Sequence, residues 1–194
     1  MALNVRRVTE PQDLRALAHP LRLRLLGALR LDGPATASDL ARRFGVSSGL
    51  TSYHLRALAE RGFVEDDPER SGEGGRERWW RASHDATEWH VPPPEDDPVE
   101  HAGRVEASRA LNVEAARMYG RWLEKVAVRE PDLDERWRGA SAGGDRWMKL
   151  TPDQLRRLSA DLQALVERYA AEESEDGERV GILYAAFPDD GTIL

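Results

Sequence analysis

One short stretch of the sequence carries small hydroxyl side chains together with a tyrosine and an arginine. These residues are Ser47, Ser48, Gly49, Ser52, Tyr53 and Arg56. Their spacing predicts that they share one side of a helix over residues 47–61, for which Ser47 is a good N-cap. Small residues at a helix N-terminus allow close approach to base edges, and the free N–H groups there attract a phosphate. Arg56 is suited to a forked contact with a guanine or a phosphate.

The other side of the same predicted helix is mostly apolar. Thr51, Leu55 and Leu58 recur at i, i+4 and i+7, with Leu50 and His54 flanking them. This pattern predicts a buried stripe, which leaves the hydroxyl-bearing side free.

Three helices are predicted before this one. Leu14 lies in the first, which ends at His19 because the residue before a proline disfavours helical backbone. Pro20 is suited to the first position of the second helix. Thr36 and Asp39 have capping-box spacing at the start of the third, and Gly45 is placed to end it. Two helices joined by a tight turn at Gly45 are the arrangement of a helix-turn-helix.

A β-hairpin is predicted after the fourth helix. Residues 63–65 and 76–82 favour strands, and residues 68–75 are rich in turn formers. Arg76 and Arg78 are candidate contacts to a DNA backbone. The alternative for both arginines is salt bridging to nearby glutamates, since residues 63–81 hold four arginines and six acids.

Residues 13–82 resemble the ArsR-type winged helix-turn-helix transcriptional regulators. The resemblance rests on LAHPLRLRLL (17–26), ASDLARRFGVS (37–47), LTSYHLRALAERGFV (50–64) and GGRERWWR (74–81). It implies a homodimeric repressor of a palindromic operator, with helix 47–61 in the major groove and wing 63–81 on the backbone. Many members of that family sense metals through cysteines, and because this chain has none, metal sensing is not carried over.

Composition narrows the function classes further. Residues 1–82 hold 14 Arg or Lys and 11 Asp or Glu, whereas residues 83–194 hold 14 and 24. The mildly basic first part is suited to a polyanion and the acidic second part is expected to face away from it. The sequence shows no apolar run long enough to span a membrane and no secretory signal, which predicts a cytoplasmic protein.

The sequence predicts neither a metal site nor a cofactor. His84, His90 and His101 could supply nitrogen ligands, but none of them forms an i, i+4 pair. Solvated surface histidines are the simpler interpretation. The sequence also shows no nucleophile elbow, phosphate loop or carboxylate constellation, so we expect no catalytic residues and no enzyme.

The second half of the chain is predicted to hold a linker and two further regions. Residues 91–98 contain four prolines and three acids, which indicates a stiff linker. A helix over residues 99–130, with an apolar stripe that includes Val105, Trp122 and Val126, is expected to form a dimer interface. Residues 146–194 are expected to form a small α+β module, with a helix that begins near Thr151.

Two strands are predicted in that module, over residues 146–150 and 180–187. Its aromatic side chains, with one from the preceding helix, are either core or the lining of a pocket for an unidentified small-molecule effector. The candidate pocket residues are Trp122, Trp147, Tyr169 and Tyr184.

The sequence therefore predicts a mainly α (α+β) fold, with a winged helix-turn-helix over residues 1–90. The predicted function is that of a sequence-specific regulator of transcription, a repressor that binds double-stranded DNA as a homodimer. The alternative is a protein–protein interaction adaptor that reuses a winged-helix domain.

Overall fold

A computed structural model of the chain describes residues 4–71, 78–89, 97–140, 142–144, 146–172, 177–178 and 180–188. The chain divides into two compact units, of which one covers Asn4–Glu124 and the other begins at Lys125.

Helices make up most of the described secondary structure, which confirms the mainly α fold class. They are α1 (Pro11–Leu17), α2 (Pro20–Asp32), α3 (Ala37–Phe44), α4 (Ser48–Ala59), α5 (Pro68–Ser71), α6 (Pro98–Arg129), α7 (Glu135–Arg138) and α8 (Pro152–Ala171), with a 3-10 turn at Glu130–Asp132. Among the helices in the described part of the chain, none combines the length and the apolar character that crossing a bilayer requires.

The described residues also contain five short strands in two sheets. They are β1 (Val5–Val8), β2 (Ala35–Thr36), β3 (Val64–Asp66), β4 (Trp79–Ala82) and β5 (Ala86–Trp89). One sheet is antiparallel with the order β2-β4-β3, and in the other β1 pairs in parallel with β5. The hairpin of β3 and β4 is the predicted wing, and with α3 and α4 it completes a winged helix-turn-helix.

Local signals fix the helix boundaries as predicted. Pro20 occupies the first turn of α2, and the His19 side chain caps that helix by accepting from the N–H of Leu21 at 3.2 Å. Thr36 and Asp39 form a complete capping box at the start of α3. Gly45 ends α3 with φ +67°, a left-handed conformation that favours glycine.

The returning strand of the wing is shorter than predicted. It begins at Trp79 rather than at residue 76, and Arg76 lies outside the described residues. Trp79 and Trp80 are adjacent on β4, so their side chains point to opposite faces of the sheet. Trp80 is buried, whereas Trp79 is half-buried with the guanidinium of Arg70 5.3 Å from its ring.

The core of the first unit is built from leucines of α1–α4 and closed by the wing and by α6. Phe63 and Trp80 pack into it from the wing, and Ala107 and Leu111 pack into it from α6. The inner face of α6 is therefore part of the winged-helix core.

Helix α6 packs on its own domain through one face and leaves part of the predicted apolar stripe exposed, where its role as a dimer interface stays a prediction. Its buried residues are Ala107, Ser108, Leu111 and Ala115. Val105, Trp122 and Val126 are instead exposed. Small side chains let α6 lie close to the rest of the domain. A pattern of large apolar residues does not reveal a packing face that is built from small ones. The helix also begins at Pro98, which was expected to be the last linker residue, while residues 91–96 lie outside the described ranges.

The two strands predicted beyond residue 140 do not form. Residues 146–150 and the described residues 180–187 have no regular secondary structure. Helix α8 forms with the predicted start at Thr151, but none of its residues is buried. The expected α+β module is therefore helical, without a sheet among the described residues.

Candidate nucleic-acid interface

The start of α4 is fixed by hydrogen bonds from the turn that precedes it. The hydroxyl of Ser47 accepts from the N–H of Leu50 at 3.2 Å, so Ser47 is the N-cap. The hydroxyl of Thr51 donates to the carbonyl oxygen of Ser47 at 3.0 Å. The left-handed Gly45 aims the chain from α3 into this cap, and Val46 packs partly against the core.

Helix α4 separates into a buried and an exposed side, as predicted. Thr51, Leu55 and Leu58 have no exposed surface, and His54 is 4% exposed. Leu50 was expected beside this stripe, but 43% of it is exposed. Residues 47–50 are all exposed, so the first turn of the helix projects beyond the core that covers the later turns.

The opposite side, which we call the polar face of α4, consists of Ser48, Gly49, Ser52, Tyr53 and Arg56. Ser52 is half-buried and the other four residues are exposed, Tyr53 by 61%. The Nε–H of Arg56 donates to the carbonyl oxygen of Ser52 at 3.2 Å. This bond holds the guanidinium along the helix surface and orients its terminal N–H groups.

A shallow groove of about 560 Å³ lies beside the start of α4, between α3 and α4. Ser48 lines it together with Arg42, a residue that the sequence analysis did not single out. Arg42 lies in the last turn of α3, three residues before Gly45, and this position is the sequence feature that could have identified it as part of the groove.

Charge in this groove is partly balanced within the protein. Asp39 pairs with Arg42 and caps α3. The hydroxyl of Thr36, which donates to Asp39 at 2.7 Å, is the main cause that lowers the pKa of this carboxyl, and Arg42 lowers it further. Asp39 is therefore ionised at neutral pH, and Arg42 contributes less net positive potential than an isolated arginine would.

Arginines of the wing are paired with carboxylates of the neighbouring strand. Arg78 contacts Asp66 at 3.0 Å and lies over the ring of Trp80 at 4.1 Å, while Arg81 contacts Glu65 at 2.8 Å. Arg78 thus forms a salt bridge, although with a different partner from the glutamates considered in the sequence. The described part of the wing offers less free positive charge than its arginines suggest.

Two histidine rings lie in contact beneath the exposed side of α4. The ring centroids of His19 and His54 are 4.3 Å apart, and the edge of Tyr53 approaches His54 at 5.1 Å. The buried Nδ1 of His54 has no hydrogen-bond partner among the described residues. Burial is the main cause that lowers the pKa of His54, followed by the positive charges of His19 and Arg22.

We expect acid to destabilise the fold through this pair. Burial and Arg22 also lower the pKa of His19, against an opposing effect of Glu114. The folded chain therefore takes up protons on these rings at a lower pH than the unfolded chain, which takes them up below about pH 6.5. The contribution of these two rings to the free energy of unfolding is fully present above that pH and is lost as the pH falls below it. Urea unfolding between pH 7.5 and pH 5 should show this decrease, and a His54→Phe variant should show a smaller one. Equal pH dependence in the two proteins would contradict this origin.

The four aromatic residues considered for an effector pocket are all exposed. The exposed fraction is 37% for Trp122, 59% for Trp147, 60% for Tyr169 and 43% for Tyr184. An enclosed ligand pocket buries its lining, so their exposure gives no support to such a pocket. Within the described ranges, no three His, Asp or Glu side chains are grouped to hold a metal ion.

Comparison with known proteins identifies the first part of this fold. Residues 17–67 match the family described as Helix-turn-helix domain. The match covers about a quarter of the chain, from the end of α1 to the first strand of the wing. No curated protein sequence is similar enough to this chain to count as a relative.

Solved structures of regulators show remote similarity. The chain is 12% identical to a double mutant of ZitR from Lactococcus lactis in its apo form, with 78% of this chain and 83% of that chain covered and a TM-score of 0.34. It is 15% identical to a MarR family regulator from Neisseria meningitidis, with coverages of 78% and 76% and a TM-score of 0.32. For the adhesin competence repressor AdcR from Streptococcus pyogenes, the identity is 11%, the coverages are 78% and 81%, and the TM-score is 0.29.

Proposed function

We propose that this chain is a sequence-specific regulator of transcription that binds double-stranded DNA as a homodimer and represses the genes it controls. The observation that carries the proposal is the polar face of α4, which is largely exposed, has small residues at its N-terminal end and is fixed by the turn after α3. In a helix-turn-helix the second helix enters the major groove with its N-terminal residues against the base edges.

Each residue of the polar face has a role in this proposal. Ser48 and Gly49 lie in the first turn of α4, where backbone N–H groups lack intrahelical acceptors and can bind a phosphate. Gly49 has open space around its Cα, so DNA can approach the backbone there. Arg56, eight residues after Ser48, is placed to read a guanine or to hold a phosphate.

The overall charge of −7 does not oppose this role, because the charge is unevenly distributed. The first 82 residues hold an excess of arginine, and the acidic excess lies after them. Phosphate contacts by arginine release counterions, so the affinity for DNA should fall steeply as salt rises. The described part of the wing adds little to this attraction, since Arg78 and Arg81 are each paired with a carboxylate.

The outer face of α6 is the proposed dimer interface. An open groove of about 350 Å³ lies along it, lined by Val105, Arg109, Asn112, Val113 and Ala116 and reaching the buried Ser108. Val105 is 39% exposed and Val113 is 43% exposed, while the inner face of the same helix is buried in the winged-helix core. In each copy, this face of α6 and helix α4 belong to the same compact unit. Two copies paired here would therefore present two α4 helices, one for each half of a palindromic operator.

Gel shifts with the promoter region of its own gene, and selection of bound genomic fragments with and without cell extract, test this proposal. A regulator retains a small set of fragments that share a palindrome, and release by the extract would reveal an effector. A protein-interaction adaptor would retain no fragment at any salt concentration.

Arg56→Ala should lower the affinity for the selected operator by about 1–3 kcal/mol and leave the stability nearly unchanged. The reason is that the Arg56 side chain is exposed and its intrahelical partner is only the carbonyl oxygen of Ser52. Titrations of labelled operator measure the change, with Arg121→Ala, an exposed arginine on α6, as the matched control. Operator affinity equal to that of the unchanged protein would remove Arg56 from the interface.

A further inference from the structure

Helix α8 carries an uninterrupted heptad pattern on one side. Its large apolar residues follow one another at steps of three, four, three and four, the spacing of a coiled-coil seam. They are Leu155, Leu158, Leu162, Leu165 and Tyr169. None of them is buried, and the exposed fraction reaches 44% at Leu165 and 60% at Tyr169.

The helix is well formed without burying this seam. Thr151 and Gln154 make a complete capping box, with bonds of 2.8 and 3.2 Å, and Pro152 occupies the first turn. A capped, 20-residue helix is preorganised, so a partner helix need not order it on binding. The seam is thus a preorganised apolar surface that is half-buried at Leu155, Leu158 and Leu162 and exposed at Leu165 and Tyr169.

Two opposite charges lie beside the seam at equivalent heptad positions. Asp161 directly precedes Leu162, and Arg168 directly precedes Tyr169, so both occupy the position called g; both are exposed. They are seven residues apart, about 10.5 Å along the axis at a rise of about 1.5 Å per residue, which is too far for a salt bridge within one helix.

The charges match those of a second copy in only one orientation. In an antiparallel pair with Leu162 facing Leu165 of the second copy, g positions face g positions, so Asp161 lies beside Arg168 of the other helix twice. In a parallel pair, position g faces position e of the other helix. Asp161 would then face Val166.

We propose that α8 is a self-association surface that pairs with α8 of a second copy of this chain, antiparallel about a two-fold axis. Each contact then occurs twice, and the leucine seam is covered by an identical seam. This inference goes beyond the proposed function, because it rests on α8 alone and requires neither DNA binding nor the groove on α6.

Charge reversal in the full chain tests the pairing without touching the apolar seam. Asp161→Arg and Arg168→Asp each place like charges together twice, so each variant should self-associate roughly tenfold more weakly. An equimolar mixture of the two variants restores both pairs, and it should associate as tightly as the unchanged chain. Sedimentation equilibrium measures all three, with Glu167→Arg and Arg157→Asp, exposed charges away from the seam, as matched controls.

Cysteine substitution tests the same pairing where another interface also holds the copies together. The chain contains no cysteine. The variant Asp161→Cys/Arg168→Cys cannot close a disulfide within one helix, because a disulfide requires Cα atoms within about 7 Å. Mild oxidation should give a covalent dimer on a non-reducing gel, and the single variant Asp161→Cys should give far less.

The cysteine experiment decides the proposal, because the groove on α6 is itself proposed to hold two copies together. A cysteine pair that remains monomeric after oxidation, or that gives no more covalent dimer than Asp161→Cys alone, would overturn it. Gel shifts with the same variants report DNA binding separately, so failure of this pairing is distinguishable from failure of the proposed function.

Discussion

Replacing Leu55 by alanine should lower the free energy of unfolding by about 3–5 kcal/mol. Leu55 has no exposed surface, and it is part of the core that joins α1, α2 and the wing to α4. The substitution removes buried methyl groups and leaves a cavity that this core cannot fill by collapse. Since domains of this size have a stability of only about 5–15 kcal/mol, a large share would be lost. Urea unfolding monitored by circular dichroism measures the change.

The matched control is Leu50→Ala, the same substitution one and a half turns earlier on α4. Because 43% of Leu50 is exposed, this change should cost about 1 kcal/mol or less. Equal costs at the two positions would contradict the division of α4 into a buried and an exposed side.

Ser48→Asp should change stability and DNA affinity in opposite directions. The first turn of α4 contains no acidic residue, so a carboxylate there interacts favourably with the helix dipole and adds about 0.3–1 kcal/mol of stability. The same carboxylate lies where the proposal places a DNA phosphate. Like charges held together in an interface cost several kcal/mol, and we expect the operator affinity to fall by about 2–4 kcal/mol.

Ser48→Ala separates charge from shape. It removes the hydroxyl without adding a charge, so its loss of affinity should be much smaller than that of Ser48→Asp. Thermal unfolding and operator titration of the two variants measure both quantities. If Ser48→Asp bound the operator as tightly as Ser48→Ala does, the start of α4 would not face the phosphates.

The helix-turn-helix was predictable because its signals are local. Pro20, the Thr36–Asp39 capping box and Gly45 each define a helix end through interactions within a few residues. The buried stripe of α4 follows from helical periodicity, which also gives the polar face by subtraction. Leu50 was expected beside this stripe but is exposed, because periodicity does not show where a helix extends beyond the core.

The parallel pair of β1 and β5 was not predictable from the sequence. It joins Val5 to Ala86 and Val8 to Trp89, and each strand has only four residues. Short strands carry little periodicity, and no turn connects these two to indicate that they pair. Long-range hydrogen bonding, including that of Asn4 with Asp85 at 2.8 Å, brings them together.

Near the end of the chain, a strand was predicted that does not form among the described residues. Residues 180–187 are apolar and β-prone, which favoured a strand, yet no strand forms there in the described residues. Strand propensity depends on having a neighbour to pair with and to pack against. On α6, the sequence pattern could not show which apolar side packs on its own domain, and the small residues Ala107, Ser108 and Ala115 form that side.

Photo-crosslinking from Tyr53 tests most directly whether the polar face of α4 lies against DNA. Tyr53 is 61% exposed at the centre of that face, so a benzophenone amino acid placed there should react with a bound operator. The same group at Val99, which is 82% exposed on α6, serves as the control. We expect a crosslink from position 53 and none from position 99. Retained operator binding with a crosslink from position 99 and none from position 53 would contradict it.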